Sequence, residues 1–351
     1  MLLKCLSLPG RSTMIKTLKK HPWLILSALL AGLTVLNLSQ GSVQISVSDW
    51  LGLAGLAPNS NSVIRDIIVD FRLTKTLTCI LAGGALALGG LMMQTLFRNP
   101  LAGPDVLGLS SGASLAVALL VMAGSPVISN LGGSFMISLG ATLGSAAILL
   151  LILAVANRIK DNTSLLLIGL MVGATTASLV SVLQFLSRTE DQHYFLIWTF
   201  GSMGGLNWNE LIVLGGVLLM GIGLAFYVSK PLNAWLLGDN YARSLGVNLS
   251  ASRFLIILST SLLAGSVTAF CGPIAFIGLA VPHLTRLLIN TTNHRILIPG
   301  VLVMGASVML FCDTVAQLPG SAYVLPINAI TALIGAPVVI WVIVRAKKVV
   351  V

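Results

Sequence analysis

Long apolar stretches without a single Asp, Glu, Lys or Arg dominate the chain. They cover residues 76–97, 106–157, 162–187, 211–229, 254–285, 296–312 and 314–344. About 20 apolar residues cross the ~30 Å hydrocarbon core of a bilayer, so the longest stretch holds two spans. The pattern predicts about ten transmembrane helices, at residues 22–39, 76–97, 105–123, 134–157, 163–187, 210–228, 253–271, 274–290, 296–312 and 327–344.

Three polar segments between these spans are too long to be simple turns. Residues 41–72 and 188–209 fall on one side of the membrane, and residues 229–252 fall on the other. Apolar residues before and after Gly238 predict two short helices in the third segment, with Asp239 as the N-cap of the second. The pattern fits both a surface for a soluble partner and an amphipathic loop on the membrane.

The composition supports a membrane protein. Hydrophobic residues make up 56% of the chain and charged residues 9%, with a mean hydropathy of +0.99, whereas soluble domains carry about 25% charged residues. The net charge of +10 is scattered between apolar stretches instead of forming a basic stripe with interleaved aromatics, which argues against nucleic-acid binding. No CxxC pair occurs, so neither a metal site nor a disulfide framework is predicted.

The distribution of Lys and Arg sets the predicted orientation. With a cytoplasmic N-terminus, the ten-span arrangement places sixteen of these residues inside and four outside, as the positive-inside rule requires. We therefore expect a single transmembrane domain over 1–351, with residues 1–21 as a cytoplasmic N-terminus, 41–72 as an external segment and both termini cytoplasmic. The first apolar stretch lacks a small-residue cleavage site, which favours a retained helix.

The sequence contains no group that would drive transport by itself. It has no GxxxxGK[ST] loop for a nucleotide and no HExxH or GxSxG motif. The spans hold almost no ionisable residues, and His283, Arg286 and Asp313 lie near predicted helix ends, where interfacial anchors or polar caps are typical. These features favour a transporter driven by a separate ATPase. An ion-coupled secondary transporter is the alternative, while a membrane enzyme would need clustered His, Asp or Glu, which the sequence lacks.

Several motifs resemble the signature of the FecCD permeases, the membrane subunits of type II ABC importers for ferric siderophores, haem and cobalamin. The first is Arg98-Asn99-Pro100-Leu101-Ala102-Gly103-Pro104, followed by Leu107-Gly108 and Ser111-Gly112-Ala113. The others are Gly238 to Gly246, Gly272 to His283, and Leu325-Pro326-Ile327 with Gly335-Ala336-Pro337. The resemblance runs from about Arg72 to Arg345.

The resemblance implies an all-α, BtuC-like permease bundle in the bacterial cytoplasmic (inner) membrane. It implies a transport subunit without its own nucleotide site, moving iron–siderophore-type chelates. The partners would be a second permease subunit, forming a homodimer, two ABC ATPase subunits that use ATP and Mg, a periplasmic or lipid-tethered substrate-binding protein, and membrane lipid. No cofactor or metal would be bound directly. A cobalamin or haem importer of the same family is the alternative, and His193-Tyr194 is a faint indication of haem.

The resemblance also assigns three groups of residues. ATPase coupling falls on Leu236, Leu237, Gly238, Asp239, Ala242, Arg243, Leu245 and Gly246. A cytoplasmic gate falls on Asn99, Leu101, Thr163 and Ser164, and binding-protein docking falls on Arg72 and Lys75.

The docking group departs from the family pattern. The family commonly has Arg-Leu-Pro-Arg before the second span, whereas this chain has Arg72-Leu73-Thr74-Lys75, and a basic position near residue 317 is Gln317. Since Lys holds carboxylates less rigidly than Arg, we expect docking charge to be reduced or moved, for instance to Arg65.

Overall fold

The computed structural model describes residues 21–41, 43, 45–46, 62–123, 133–159, 161–317 and 323–346. The regular structure in this part of the chain is entirely helical. The helices are α1 Pro22–Ser39, α2 Ser62–Leu96, α3 Leu109–Ala123, α4 Gly133–Arg158, α5 Asn162–Leu186, α6 Thr189–Thr199, α7 Trp208–Tyr227, α8 Ser229–Trp235, α9 Asp239–Ser244, α10 Leu249–Cys271, α11 Ile277–Ile289, α12 His294–Ala316 and α13 Ile327–Ala346.

The predicted all-α multi-span fold is confirmed. Among the described residues, seven helices are long and apolar enough to cross a membrane, namely α1, α2, α4, α5, α7, α10 and α12. Three shorter apolar helices, α3, α11 and α13, occupy the remaining predicted spans. Each of the ten predicted spans therefore coincides with one apolar helix.

Helix α2 forms the centre of the bundle, where it packs against α10, α11 and α12. Its apolar section is 83% buried, compared with 28%, 22% and 28% for α4, α5 and α7. Small residues permit this position, because a Cβ atom on Gly90 would lie 1.8 Å from the carbonyl oxygen of Gly278. Close backbone approach at small residues is how helices pack tightly in lipid.

Two polar segments contain more helix than the sequence indicated. Residues 62–72, predicted to be part of the external segment 41–72, belong to the first turns of α2, which include a π-helical stretch at Ile67–Leu73. The Thr74 hydroxyl, just after this stretch, donates to the Asp70 carbonyl at 2.6 Å. The segment 188–209 contains α6. Residues 1–20 and 47–61, parts of the predicted N-terminal and external segments, lie outside the described residues.

Candidate functional site

The segment between α7 and α10 forms two short helices, as predicted. Helices α8 and α9 meet at Gly238, whose φ of 107° is accessible mainly to glycine. The predicted N-cap is wrong, because Gly238 occupies that position and Asp239 is the first residue of α9. The Asp239 carboxylate instead forms an ion pair with Arg98, at the end of α2. By the distribution of Lys and Arg, this is the cytoplasmic end of the bundle.

Helices α8 and α9 and the residues that follow each of them expose an apolar patch on the surface of the chain, which we call the coupling patch. Leu236, Leu237, Tyr241 and Leu245 are 43%, 62%, 52% and 58% exposed. Arg243 is exposed beside them, whereas Ala242 is buried and packs towards the bundle. Gly246 ends α9 with a positive φ of 79°. The predicted coupling residues thus lie together, although Ala242 belongs to the inner side. An exposed apolar patch of this kind fits both a protein interface and the amphipathic membrane-surface loop that the sequence left open.

The predicted gate residues lie on two turns at the same end. The turn after α2 contains Asn99, whose side-chain oxygen accepts a hydrogen bond from the Leu101 N–H at 2.9 Å. Leu101 is 45% exposed. The Asn162 side chain, at the start of α5, donates to the Leu96 carbonyl at 2.7 Å. This bond joins the turn of Asn99 to the turn that carries the other two gate residues.

The second gate turn is the first turn of α5, and Asp161 is the N-cap of that helix. Its carboxylate accepts hydrogen bonds from the Ser164 hydroxyl and the Ser164 N–H, both at 2.7 Å. These bonds hold the pKa of the Asp161 carboxyl below its ordinary value of 3.8. The predicted gate residue Ser164 therefore serves the N-cap of α5, while Thr163 stays exposed.

The predicted docking residues lie at the opposite, external end. Arg65 is exposed on the first turn of α2, but Arg72 is only 5% exposed. The Arg72 guanidinium donates to the carbonyls of Leu38, Ser39 and Val43. Its hydrogen-bonding groups are thus directed at the backbone of the α1 end.

Lys75 belongs to an external polar cluster formed by Asn37, Lys75, Asp313 and Gln317. The Lys75 ammonium lies 3.3 Å from the Asp313 carboxylate. The side chains of Asn37 and Gln317 donate to the same carboxylate at 2.7 Å and 2.5 Å. One acceptor therefore ties together the external ends of α1, α2 and α12. The sequence position of Asp313 favoured an interfacial anchor or a polar cap. In the structure this carboxylate also joins three helices.

A cavity of about 500 Å³ opens above this cluster. Arg72, Lys75 and Asp313 contribute its charged groups, and residues 201–204 and 323–325 form part of its wall. Two of the three predicted docking residues, Arg72 and Lys75, therefore line one external cavity, and Arg65 is not among its lining residues.

Sequence reasoning missed the residues that connect these sites. Asn37 and Asn162 gave a weak signal, since each is a polar residue at the border of an apolar stretch. Trp235 appeared only as one of several apolar residues in the segment 229–252. Their contacts join residues far apart in the chain, which periodicity does not reveal.

The fold and these two ends define a multi-span transport protein. The chain matches the family model of the FecCD transport family over residues 29–345. It therefore belongs to the FecCD transport family, which confirms the resemblance found in the sequence.

Named relatives match along nearly the whole chain. The vitamin B12 import system permease protein BtuC of Shigella boydii is 35% identical over 330 residues, covering 93% of this chain and 96% of the relative. BtuC of Escherichia coli O9:H4 has the same identity and coverage.

Solved structures give the same fold. A proposed metal-chelate type ABC transporter in an inward-facing conformation superposes with a TM-score of 0.80 and 30% identity, over 92% of this chain and 98% of that chain. PsaBC from Streptococcus pneumoniae, in complex with Fab, has a TM-score of 0.54 at 16% identity, over 80% of this chain and 93% of that chain, and shows a likeness of fold alone.

Proposed function

We propose that the chain is the permease subunit of an ATP-driven ABC importer that carries a metal chelate across the bacterial cytoplasmic membrane. The observation that carries this proposal is the 35% identity to vitamin B12 permeases over 93% of the chain. Cobalamin, itself a metal chelate, is the substrate that these relatives favour. The whole chain would act as one permease domain.

A separate ATPase would supply the energy and use ATP and Mg²⁺. The coupling patch supports this, because Leu236, Leu237 and Leu245 are exposed at the end of the bundle that the basic residues mark as cytoplasmic. An apolar patch in water favours burial against a soluble partner. Two permease copies, each with one such patch, would bind two ATPase subunits.

A substrate-binding protein would dock at the external end. Arg65 is exposed and suits a carboxylate on such a partner. Arg72 and Lys75 are engaged within the chain, so docking through them would require exchange of internal partners for external ones. The cavity between them supports a role at the entrance of the path.

A ferric chelate is the second candidate substrate. The structural match to a proposed metal-chelate type transporter, at 30% identity, supports the wider substrate class. It is also the substrate class that the family resemblance of the sequence implies.

Reconstitution tests the function directly. The permease is placed in proteoliposomes with and without its candidate ATPase and binding protein, and uptake of radiolabelled cyanocobalamin and of ferric siderophores is measured. We expect uptake only when ATP and both partners are present. Solute movement by the chain alone along an ion gradient would contradict the ABC assignment and favour a secondary transporter.

A further inference from the structure

Trp235, the last residue of α8, lies at the meeting point of the coupling patch and the gate turns. Its side chain is fully buried. The guanidinium carbons of Arg98 and Arg253 lie 6.0 Å and 5.8 Å from the centre of its ring. Guanidinium groups at this distance attract an aromatic face, and Trp gives the strongest such attraction. The indole N–H donates to the Ser252 hydroxyl at 3.1 Å, so the ring is held in one orientation.

Arg98 connects this ring to the first gate turn. Its Nε donates to the Trp235 carbonyl at 3.1 Å, and its guanidinium pairs with Asp239 of α9. Arg98 adopts a φ of +47°, which is unfavourable for a residue with a Cβ atom. The contacts of its side chain offset that cost. Since Asn99 follows directly, the course of the gate turn depends on where α8 and α9 hold Arg98.

Arg253 connects the same ring to the second gate turn. Its Nη1 donates to the Ile159 carbonyl at 2.9 Å. Ile159 lies two residues before Asp161, the N-cap of α5, and three residues before the start of that helix. Both gate turns are therefore attached to one aromatic ring on α8, each through one arginine.

We propose that Trp235, Arg98 and Arg253 form a junction that transmits movement of the coupling patch to both gate turns. This inference rests on the proposed function. A planar ring with fixed hydrogen bonds moves as a unit, and packed contacts of this kind shift between discrete arrangements. Displacement of α8 by the ATPase would move the ring and thereby pull on Arg98 and Arg253 together. Trp235 acts here as a positioning residue and touches no substrate.

The test follows each gate turn separately in the complex with the ATPase. Parent proteins carry Leu101→Cys or Thr163→Cys, with Cys5 replaced by serine. The native thiols of Cys79, Cys271 and Cys312 are buried. The rate of labelling by fluorescein maleimide is measured without nucleotide and after trapping with Mg-ATP and vanadate. In the parents we expect a several-fold change in rate at both positions.

Further variants then test the two arms of the junction separately. One arm is Arg98 with the first gate turn, and the other is Arg253 with the second. Trp235→Leu should abolish the nucleotide-dependent change at both positions, while ATPase binding and ATP hydrolysis persist. Trp235→Phe, which keeps an aromatic face, should retain part of it. Arg98→Gln should abolish the change at the Leu101 position alone, and Arg253→Gln at the Thr163 position alone. This arm-specific pattern is not expected from general destabilisation, and it stays measurable if Trp235→Leu fails to fold.

Leu232→Ala is the matched control, because Leu232 is buried on the same helix and its removal lowers stability without removing these contacts. Its labelling response should equal that of the parent. The junction is wrong if Trp235→Leu responds as the parent does, or if both arginine variants affect both turns equally. If nucleotide has no effect even in the parents, or the ATPase does not bind them, the proposed function fails instead.

Discussion

At the scale of single residues, Asp313 is the acceptor that the members of the external polar cluster share. It is 5% exposed and accepts from Lys75, Asn37 and Gln317. The Thr76 hydroxyl extends the cluster by donating to the side-chain oxygen of Asn37 at 2.8 Å. A buried carboxylate is stable only with such partners. The Lys75 ammonium in turn depends on Asp313 for its negative partner.

Asp313→Ala is expected to destabilise the protein by about 3 kcal/mol, near the lower end for loss of one partner of a buried ion pair. The lower end applies because the Lys75 side chain keeps 15% exposure. Thermal unfolding in detergent measures the change. Lys75→Met combined with Asp313→Ala should be less destabilised than the sum of the two single variants. Additive effects would contradict an energetic coupling between the two charges.

Asp161 gives a prediction about pH. Its pKa is held below the ordinary value of 3.8 by the bonds from Ser164, so the folded state favours the ionised form. The stabilisation is fully present above that ordinary pKa and is lost as the pH falls through the lower folded value. We expect the unfolding temperature of Asp161→Asn to depend less on pH in this acidic range than that of the parent. Parallel pH profiles for the two proteins would rule out a contribution from Asp161.

The sequence predicted these residues only in part. It singled out Asp313 as a polar residue at a helix end, but its partner Lys75 is 238 positions away. Asp161 fits a helix start by type alone, since short polar side chains cap helices through local bonds. Local chemistry is therefore readable from the sequence, whereas long-range pairing requires the packing of helices.

At the scale of helices, the contact between α2 and α11 gives the sharpest stability prediction. A methyl group on Gly90 would meet the backbone of Gly278, which cannot yield as a flexible side chain does. Gly90→Ala should therefore separate the two helices and lower the unfolding temperature and the monodisperse yield. Gly216→Ala on α7 is the control, because nothing lies within 4 Å of the added carbon. It should be neutral or slightly stabilising, since alanine favours helices by about 1 kcal/mol over glycine.

The hinge between α8 and α9 gives a functional prediction. Gly238→Pro forces a φ near −65° where the chain adopts 107°, so the direction of α9 must change. Space around Gly238 is open, and we expect a folded protein in which ATP hydrolysis is uncoupled from uptake. Arg243→Glu should uncouple through charge reversal on the exposed patch. Arg295→Glu, an exposed reversal outside this segment, serves as the control, and unchanged transport by both test variants would remove the coupling assignment.

The helices were easier to predict than the segments between them. Each of the ten predicted spans coincides with an apolar helix, but only seven of these helices in the described part of the chain are long enough to cross a membrane by length and hydropathy. The sequence did not predict that α2 begins at Ser62, because residues 62–73 contain four charged residues, Arg65, Asp66, Asp70 and Arg72. The N-cap position of Gly238 was not predicted either, because Asp is a common N-cap residue and the sequence does not show the positive φ that the chain adopts at this glycine.

At the scale of the whole molecule, the outer helices differ in the surface that they expose. Helix α5 carries three exposed hydroxyls at Thr175, Ser178 and Ser181, each donating to a carbonyl four residues earlier. Both helices also expose apolar residues, such as Met171 and Phe185 on α5 and Ile212 and Leu219 on α7, but α7 contains no Ser or Thr. Lipid suits the face of α7, whereas hydroxyl groups at helix surfaces favour contact with another helix or with a polar path. If two permease copies pair as proposed above, the face of α5 is therefore the better candidate for the side that meets the second copy.

Cross-linking distinguishes these two faces. In a Cys5→Ser background, Ser178→Cys in intact membranes should form a dimer with a short bifunctional maleimide, because two copies of α5 would face one shared path. Leu219→Cys on α7, at 69% exposure in the parent, should stay monomeric under the same treatment since lipid would separate the copies. The chosen positions share exposure and helical setting, so a difference reports on assembly rather than on reactivity. Dimer formation through Leu219→Cys alone would place the second copy against α7 and exclude a central path lined by α5.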